Sequence, residues 1–426
     1  MKQRNIGILL VNGPLPPPYG GVATYLAHAL PYLVRNGFDV HTVIDSRPAD
    51  PGLYGSFEKA GIHIHYGGGS RLGKAARVIS RAPLWISTSM RSGVPAALFL
   101  KTVKSIVSWI DASEQVLRQH PIDIIHAYDY PWVQGFVAAH LAKKYKKKFI
   151  QTTFGEIVPH KEELIHHDEE GDRYRSFVQY VLQQADLIIS LSRHCASEVE
   201  FIGVPRERVQ VMYWGVDTNH FLPKLDGQVI RQQYALGDAP VILFLGQVRP
   251  RKGPQVVLEA MPSIVHQHPN AKYLVVGPDY GMVDQLKYRA RELRVGKNVI
   301  FTGGKPHGEL PAFYAASDIF VFPTCTPIEC LGLSMIQAMA CGKPVVGSRI
   351  NGIPEVIVDG ETGFLVEPDN AVDCGDKITT LLGDSTLRKR MGGAGRARAM
   401  TQFNQDILVR ELEEAYRTMM TRTEGN

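Results

Sequence analysis

Glu329 and Gln337, eight residues apart, sit in the stretch Ile319 to Val346, IFVFPTCTPIECLGLSMIQAMACGKPVV. Glu329 is the one acid of a polar loop, and Gln337 falls two turns into the segment that follows. Such a pair can hold two polar parts of one elongated ligand. Gly332 opens that segment, and the free backbone N–H groups after it, with the dipole of the helix they begin, favour an anion such as a phosphate. A second polar group comes from the loop GQVRPRKG, where Arg249, Arg251 and Lys252 follow Gly246 closely. Cations ahead of a helix N-terminus can clamp a diphosphate and stabilise charge growing on it as it leaves. Each feature taken singly also has a plain reading, as a polar helix surface or a solvated basic turn.

These residues need elements to position them. Ile319 to Phe322 is a short apolar strand ended by Pro323, and Leu333, Ile336, Met339 and Ala340 recur at helical spacing until Gly342 and Pro344 stop the helix. Val345 and Val346 begin another strand. In strand–loop–helix units ligands bind at the strand's carboxyl end beside the helix N-terminus. The basic loop lies likewise between a strand Val241–Leu245 and a helix Pro254–His266. The first half repeats the scheme: strand Ile6–Val11, loop NGPLPPPYGG, helix Val22–Arg35, strand Val40–Ile44. Gly20-Gly21 lets backbone approach a ligand closely, although the loop is not G-x-G-x-x-G. The strand Ile122–Ala127 carries His126, Tyr128 and Asp129 at its carboxyl end. Two βαβ-rich halves predict an α/β protein of two doubly wound domains facing a cleft, residues 1–222 and 239–405. Pro223, Gly227 and Gly237 among charges make 223–238 the expected linker, and Leu408 to Met420 is an amphipathic last helix.

The stretch around Glu329 and Gln337 resembles the E-x7-E donor region of the retaining GT-B glycosyltransferases of glycosyltransferase family 4. In that family the first Glu meets the transferred sugar and the second holds the ribose diol of the nucleotide. Here the second position is Gln337, which accepts with its oxygen and donates with its NH2. The family reads G-R-L…K-G where this chain has Gln247 and Lys252, with Arg249 as the substitute guanidinium. Gly20-Gly21 matches the loop that faces the donor phosphates, and Gly304-Lys305 falls near the expected nucleobase pocket. Tyr128 stands where a second His is usual, and Thr152-Thr153-Phe154-Gly155 stands for T-x-H-G, leaving His126 or Glu156 to cover part of the acceptor side.

The resemblance implies a GT-B fold whose last helix, 406–426, returns to the first domain. It implies transfer of a sugar from a UDP- or GDP-sugar to an acceptor hydroxyl with retention, by front-face attack and with no metal or other cofactor. Lys252, Arg249 and Glu329 take the catalytic roles. Gly20, Gly21, Gly246, Lys252, Gly304, Lys305, Glu329, Leu331, Gly332, Leu333 and Gln337 hold the donor. The acceptor is a glycan or a lipid-linked molecule, in glycan, lipopolysaccharide, exopolysaccharide or glycolipid assembly. Two other classes stay open: a nucleotide-sugar epimerase of the same fold, and a non-catalytic sugar-nucleotide-binding subunit, motivated by Gln337, Gln247, Tyr128 and Phe154.

Composition is that of an ordinary globular chain, 426 residues with 44% apolar and 21% charged, and the net charge of +5 does not call for nucleic acid. Five cysteines without a C-x-x-C pair suggest neither zinc nor disulfides, which fits a cytoplasmic setting. The apolar run Ile6–Val11 is too short for a signal peptide, and no stretch reaches the ~20 apolar residues of a membrane span. Residues 67–110 carry seven basic residues, no acid, and interleaved apolar side chains including Trp85. That pattern suits either an anionic membrane surface or a basic helix with its apolar face on the core. His160, His166 and His167 stand among acids without tetrahedral ligand spacing, and are read as a solvated acceptor-side loop.

Overall fold

The computed structural model describes residues 4–11, 15, 21–44, 52–67, 96–128, 134–153, 169–326 and 329–421, with side chains described outside 96–105 and 169–175. The chain forms two compact units, Met1–Met212 with Val409–Asn426, and Tyr213–Leu408.

Among the described residues the first unit holds seven strands: β1 (Ile6–Val11), β2 (Phe38–Ile44), β3 (His63–Tyr66), β4 (Ile124–Tyr128), β5 (Lys148–Thr153), β6 (Leu187–Ser190) and β7 (Val209–Val211). They pair in parallel in the order β3-β2-β1-β4-β5-β6-β7. Runs such as ILLV in β1 and IIHAY in β4 are buried almost throughout, as strands covered on both faces must be. The second unit holds β8 (Val241–Leu245), β9 (Lys272–Val276), β10 (Val299–Gly303), β11 (Ile319–Phe322), β12 (Val345–Ser348) and β13 (Gly363–Val366). Their order is β10-β9-β8-β11-β12-β13, again all parallel. The order reverses between β1 and β4 and between β8 and β11, and crevices for ligands open at such switch points.

Several boundaries differ from the sequence reading. The helix after β1 begins at Gly21, and β4 runs Ile124–Tyr128 because Asp123 is used at its start, its carboxylate accepting from the Gly7 amide at 2.9 Å. The last helix spans Gln405–Thr421, its start fixed by Asn404, whose Oδ1 accepts from the Asp406 amide at 2.8 Å. The stretch 213–222, assigned to the first domain, packs with the second unit. Arg396 donates to the carbonyls of Thr218, Phe221 and Ala340, and Val216 bridges Asn404. Residues 223–238 are no bare linker either: they contain the helix Gln228–Gln233, with Gly227 so close that an added Cβ would lie 2.4 Å from the Ala316 amide.

Within the first unit, the last helix sets Tyr416 against Phe38 at 5.8 Å between ring centroids and Glu413 on the Tyr32 hydroxyl at 3.0 Å. Of the basic segment 67–110, residues 68–95 lie outside those described. Ile106, Val107, Trp109 and Ile110 at its end are buried in the core of the helix Ala96–Gln119. Among the described residues no helix is long and apolar enough to cross a membrane.

Candidate active site

The site in the second unit is built from two loops leaving the carboxyl ends of adjacent strands. After β8 the chain runs through Gly246 to a single tight turn at Pro250–Lys252 and then to Gly253. Gly253 has φ +73°, and a Cβ there would stand 1.7 Å from the Pro323 carbonyl oxygen, so only glycine lets this loop touch the end of β11. The Arg251 carbonyl completes the lock, accepting from Thr324 Oγ1 at 2.8 Å and from the Cys325 amide at 2.9 Å.

This lock brings Lys252 to Glu329. The ammonium donates to the Glu329 carboxylate, both side chains are mostly buried at 16% and 19% exposure, and Lys252 Nζ lies 5.6 Å from the centre of the Phe322 ring. Beyond Glu329, Leu331 is buried and Gly332, at φ +72°, turns the chain over that ring, where a Cβ would come within 2.8 Å of it. The helix Leu333–Ala340 starts there, and Gly332 offers no side chain to cap its first amides, although the Met335 amide donates to the Gly332 carbonyl at 2.9 Å. A cation, a carboxylate and a helix N-terminus thus converge at the β8/β11 switch point.

Gln337 is 7% exposed, with its Oε1 2.9 Å from the Tyr314 hydroxyl, and that hydroxyl is also 2.9 Å from the Ser334 carbonyl. One hydroxyl proton cannot serve two acceptors. A half-turn of the carboxamide resolves this: Tyr314 then donates to Ser334, Gln337 donates its NH2 to Tyr314, and the amide oxygen is freed from Tyr314. The fourth neighbour, Cys325, is pushed up to about 12 by burial and then by Asp369, so it stays a thiol and offers no nucleophile.

The other expected donor residues are placed around this centre. Gly246 donates its amide to Val276, and the ends of β8 and β9 approach so closely that a Cβ on Gly277 would lie 1.7 Å from the Gly246 oxygen. Gly304 rests near Pro278, and Lys305 reaches toward the Tyr234 ring, 5.9 Å from its centre. Arg249 is engaged by Tyr280 and Gln247. Its guanidinium lies 5.4 Å over Tyr280 and 3.4 Å from Gln247 Oε1, while Gln247 donates to the Tyr280 hydroxyl at 3.2 Å. Tyr314, Phe322 and Thr324 carry the site without having been singled out in the sequence; a buried tyrosine in an apolar helix has no spacing that would mark it.

The acceptor-side expectations need correcting. His126 is fully buried, its Nδ1 2.6 Å from the Tyr416 hydroxyl and its Nε2 2.7 Å from Thr152 Oγ1. Burial lowers its pKa to about 3, so it is a neutral core residue. Tyr128 stacks on it at 4.0 Å and is 1% exposed. Neither presents a face to an acceptor. Gly21 opens its helix at an exposed position. Gly20, Asp129, Phe154, Gly155, Glu156, His160, His166 and His167 lie outside the described residues.

Comparison with known proteins now decides the family. Residues 19–220 match the model described as Glycosyltransferase Family 4, and residues 226–398 the model described as Glycosyl transferases group 1. The chain belongs to the family 4, group 1 glycosyltransferases. Among curated relatives of this glycosyltransferase chain, it is 34% identical over 239 residues to a GDP-mannose-dependent alpha-(1-6)-phosphatidylinositol monomannoside mannosyltransferase of Mycolicibacterium smegmatis, covering 54% of this chain and 61% of that one. It is 33% identical over 232 residues to a D-inositol 3-phosphate glycosyltransferase of Corynebacterium efficiens, covering 52% and 54%. The matches thus span under two thirds of these relatives' length. The fold is that of HepE of Anabaena, solved with UDP (TM-score 0.76, 19% identity, 97% of this chain and 100% of that one). It is also that of the sucrose-phosphate synthase of Thermosynechococcus elongatus (TM-score 0.78, 22% identity, 98% and 100%). Both place the chain in the GT-B fold.

Proposed function

We propose that this chain moves a sugar from a nucleotide diphosphate-sugar to an acceptor hydroxyl, with retention at the anomeric carbon and without a metal cofactor. The observation that carries this reading is the Lys252–Glu329 pair at the β8/β11 switch point, set at the start of the helix Leu333–Ala340. A diphosphate placed there meets the Lys252 ammonium and the first helix amides, which neutralise the charge that builds as the nucleotide leaves. Displaced from Lys252 by that anion, Glu329 is free to accept from sugar hydroxyls. The released Gln337 oxygen accepts from one ribose hydroxyl, and Gly246, Gly304 and Lys305 border the nucleotide.

For the donor we take GDP-mannose first and other GDP- or UDP-sugars next, since relatives 34% and 30% identical carry GDP-mannose in their names. The acceptor is then a glycolipid or other lipid-linked molecule, met at the inner face of the membrane through the part of the basic segment 67–110 that precedes the buried residues Ile106, Val107, Trp109 and Ile110. Sedimentation with anionic liposomes at low salt supports this; failure to sediment removes the membrane part alone.

Calorimetric titration with GDP, UDP and ADP tests the donor site. Tight binding of one nucleotide, together with release of that nucleotide from its sugar only when an acceptor is supplied, is the expected result. Binding without turnover would replace the transferase reading with that of a sugar-nucleotide-binding subunit. No binding to any of the three would overturn the site itself.

A further inference from the structure

Asp39 and His41 on β2, and His63 and His65 on the edge strand β3, form a cluster in the first unit that the transferase reading does not use. Parallel pairing sets His41 beside His63, and alternation along each strand puts all four side chains on one face of the sheet. The helix Ala96–Gln119 packs on that part of the sheet and delivers His120 at its carboxyl end. His41 Nδ1 and His65 Nε2 are 3.0 Å apart, and one ligand atom each from His41, His65 and His120 lie within 4.8 Å of one another. The rings of His41 and His120 are 4.3 Å apart between centroids, those of His41 and His65 5.3 Å.

Imidazoles crowd this way at a cost, because two facing nitrogens need one proton between them. A cation removes that conflict. Metal–nitrogen bonds of about 2.0–2.1 Å put two nitrogens of a tetrahedral site ~3.3 Å apart, within a few tenths of an ångström of the His41–His65 separation, with His120 inside the same 4.8 Å cluster. The carboxylate is placed to orient the ligands. His41 Nε2 lies 3.3 Å from Asp39 Oδ2, so a small turn of the ring would let it donate there and leave the Nδ1 lone pair toward His65, and His63 Nε2 lies 3.3 Å from the other oxygen, Oδ1. A carboxylate behind a ligating histidine is the usual means of fixing its tautomer. The helix Ala96–Gln119 also directs the negative end of its dipole at the cluster. His41 is fully buried while His65 and His120 are half-buried, so an ion has a protected floor and an open fourth position for solvent.

We propose that His41, His65 and His120 bind a divalent cation of the zinc class, with Asp39 and His63 as the supporting pair. Three imidazoles with an open position suit Zn2+, and by the usual affinity order Ni2+ and Cu2+ as well, over Mg2+ or Ca2+. The ion ties the edge strand β3 and the helix end to the sheet. It belongs to the first unit and takes no part in donor chemistry.

The test uses full-length protein expressed without a histidine tag, stripped with a chelator and titrated with Zn2+ by calorimetry and with Co2+ by visible absorption. One equivalent per chain and the intense bands of four-coordinate cobalt are expected. His65→Gln and His120→Gln should each weaken binding about 100-fold or more, and Asp39→Asn about 10- to 100-fold. Circular dichroism checks that each variant is folded; where one is not, the cobalt spectrum of the other decides. Absence of binding to the wild-type chain overturns the proposal. So does unchanged stoichiometry and affinity in both folded histidine variants, which would place the ion elsewhere. Loss in His63→Gln with none in His65→Gln would put the ion on the other side of His41 and also overturn it.

Discussion

Lys252 and Glu329, 77 residues apart in the chain, meet as an ion pair because Gly253 and the Arg251 carbonyl lock their two loops together at the ends of β8 and β11. Each charge neutralises the other in a mostly buried setting, where an unpaired charge would be expensive. A diphosphate is the natural competitor for the ammonium. Lys252→Ala should therefore lower turnover at saturating donor by ~10²–10³, the usual effect of removing one preorganised charge stabiliser. Steady-state kinetics with donor well above its KM checks this, and full turnover in the variant would remove Lys252 from the chemistry.

Tyr314 and Gln337 form the second coupled pair. Tyr314→Phe deletes the hydroxyl that orients the carboxamide and that bonds the Ser334 carbonyl, a loss of about 1 kcal/mol. Nucleotide affinity should fall about fivefold or more in the same variant. Gln337→Glu draws the Tyr314 proton from the Ser334 carbonyl to itself and still offers a second oxygen, so it should bind the nucleotide at least as tightly as wild type. Titration calorimetry on both variants reads the effect, and a Tyr314→Phe protein with wild-type affinity would sever the link.

Gly253 and Gly360 separate backbone strain from crowding. Both have positive φ, +73° and +77°, but a Cβ at Gly253 would strike the Pro323 oxygen at 1.7 Å, whereas nothing lies within 4 Å at Gly360. Gly360→Ala should cost only the left-handed penalty, about 1–2 kcal/mol. Gly253→Ala should cost clearly more than that and lower nucleotide affinity too, since the loop must leave β11. Comparison of the two unfolding midpoints in urea, with nucleotide titration of each, is the measurement.

His126 sets a pH dependence. The groups around it, the Tyr416 and Thr152 hydroxyls and the Tyr128 ring, carry no charge, and burial holds its pKa near 3. In the unfolded chain the ring titrates at about 6.5. Between those values the unfolded state binds a proton that the folded state refuses, so stability present above pH 6.5 is lost as the pH falls, by up to about 1.4 kcal/mol per unit. His126→Gln should be less stable than wild type at pH 7.5 and show a shallower fall between pH 6.5 and 5. Identical slopes in the two proteins would show that another group sets the acid limit.

Much of the fold was legible because parallel strands buried on both faces are written as apolar runs, and glycine and proline mark the ends of strands and helices. The alternation along the second half placed β8, β11 and the helix Leu333–Ala340 within a residue or two, and with them the loops that carry Lys252 and Glu329. The boundary at 222 was misplaced for an equally physical reason. Pro and Gly among charges look like a linker locally, while the contacts of Arg396 and Gly215 that hold 213–222 to the second unit join residues about 180 positions apart. The same limit hid the role of His126, since nothing near it in the chain announces that Tyr416 will close over it, 290 residues later.

The residue types therefore decided the local chemistry: which loops hold cations and acids, where a helix starts without a cap, and where only glycine fits. The tertiary structure alone decided which of those groups meet. It paired Lys252 with Glu329 and turned Arg249 to Tyr280. It buried His126 and gathered Asp39, His41, His63, His65 and His120 from two strands and a helix end. Local propensity and periodicity act over a few residues, whereas strand order and helix docking are set by burying the whole apolar surface at once, and only that global arrangement brings distant polar groups into contact.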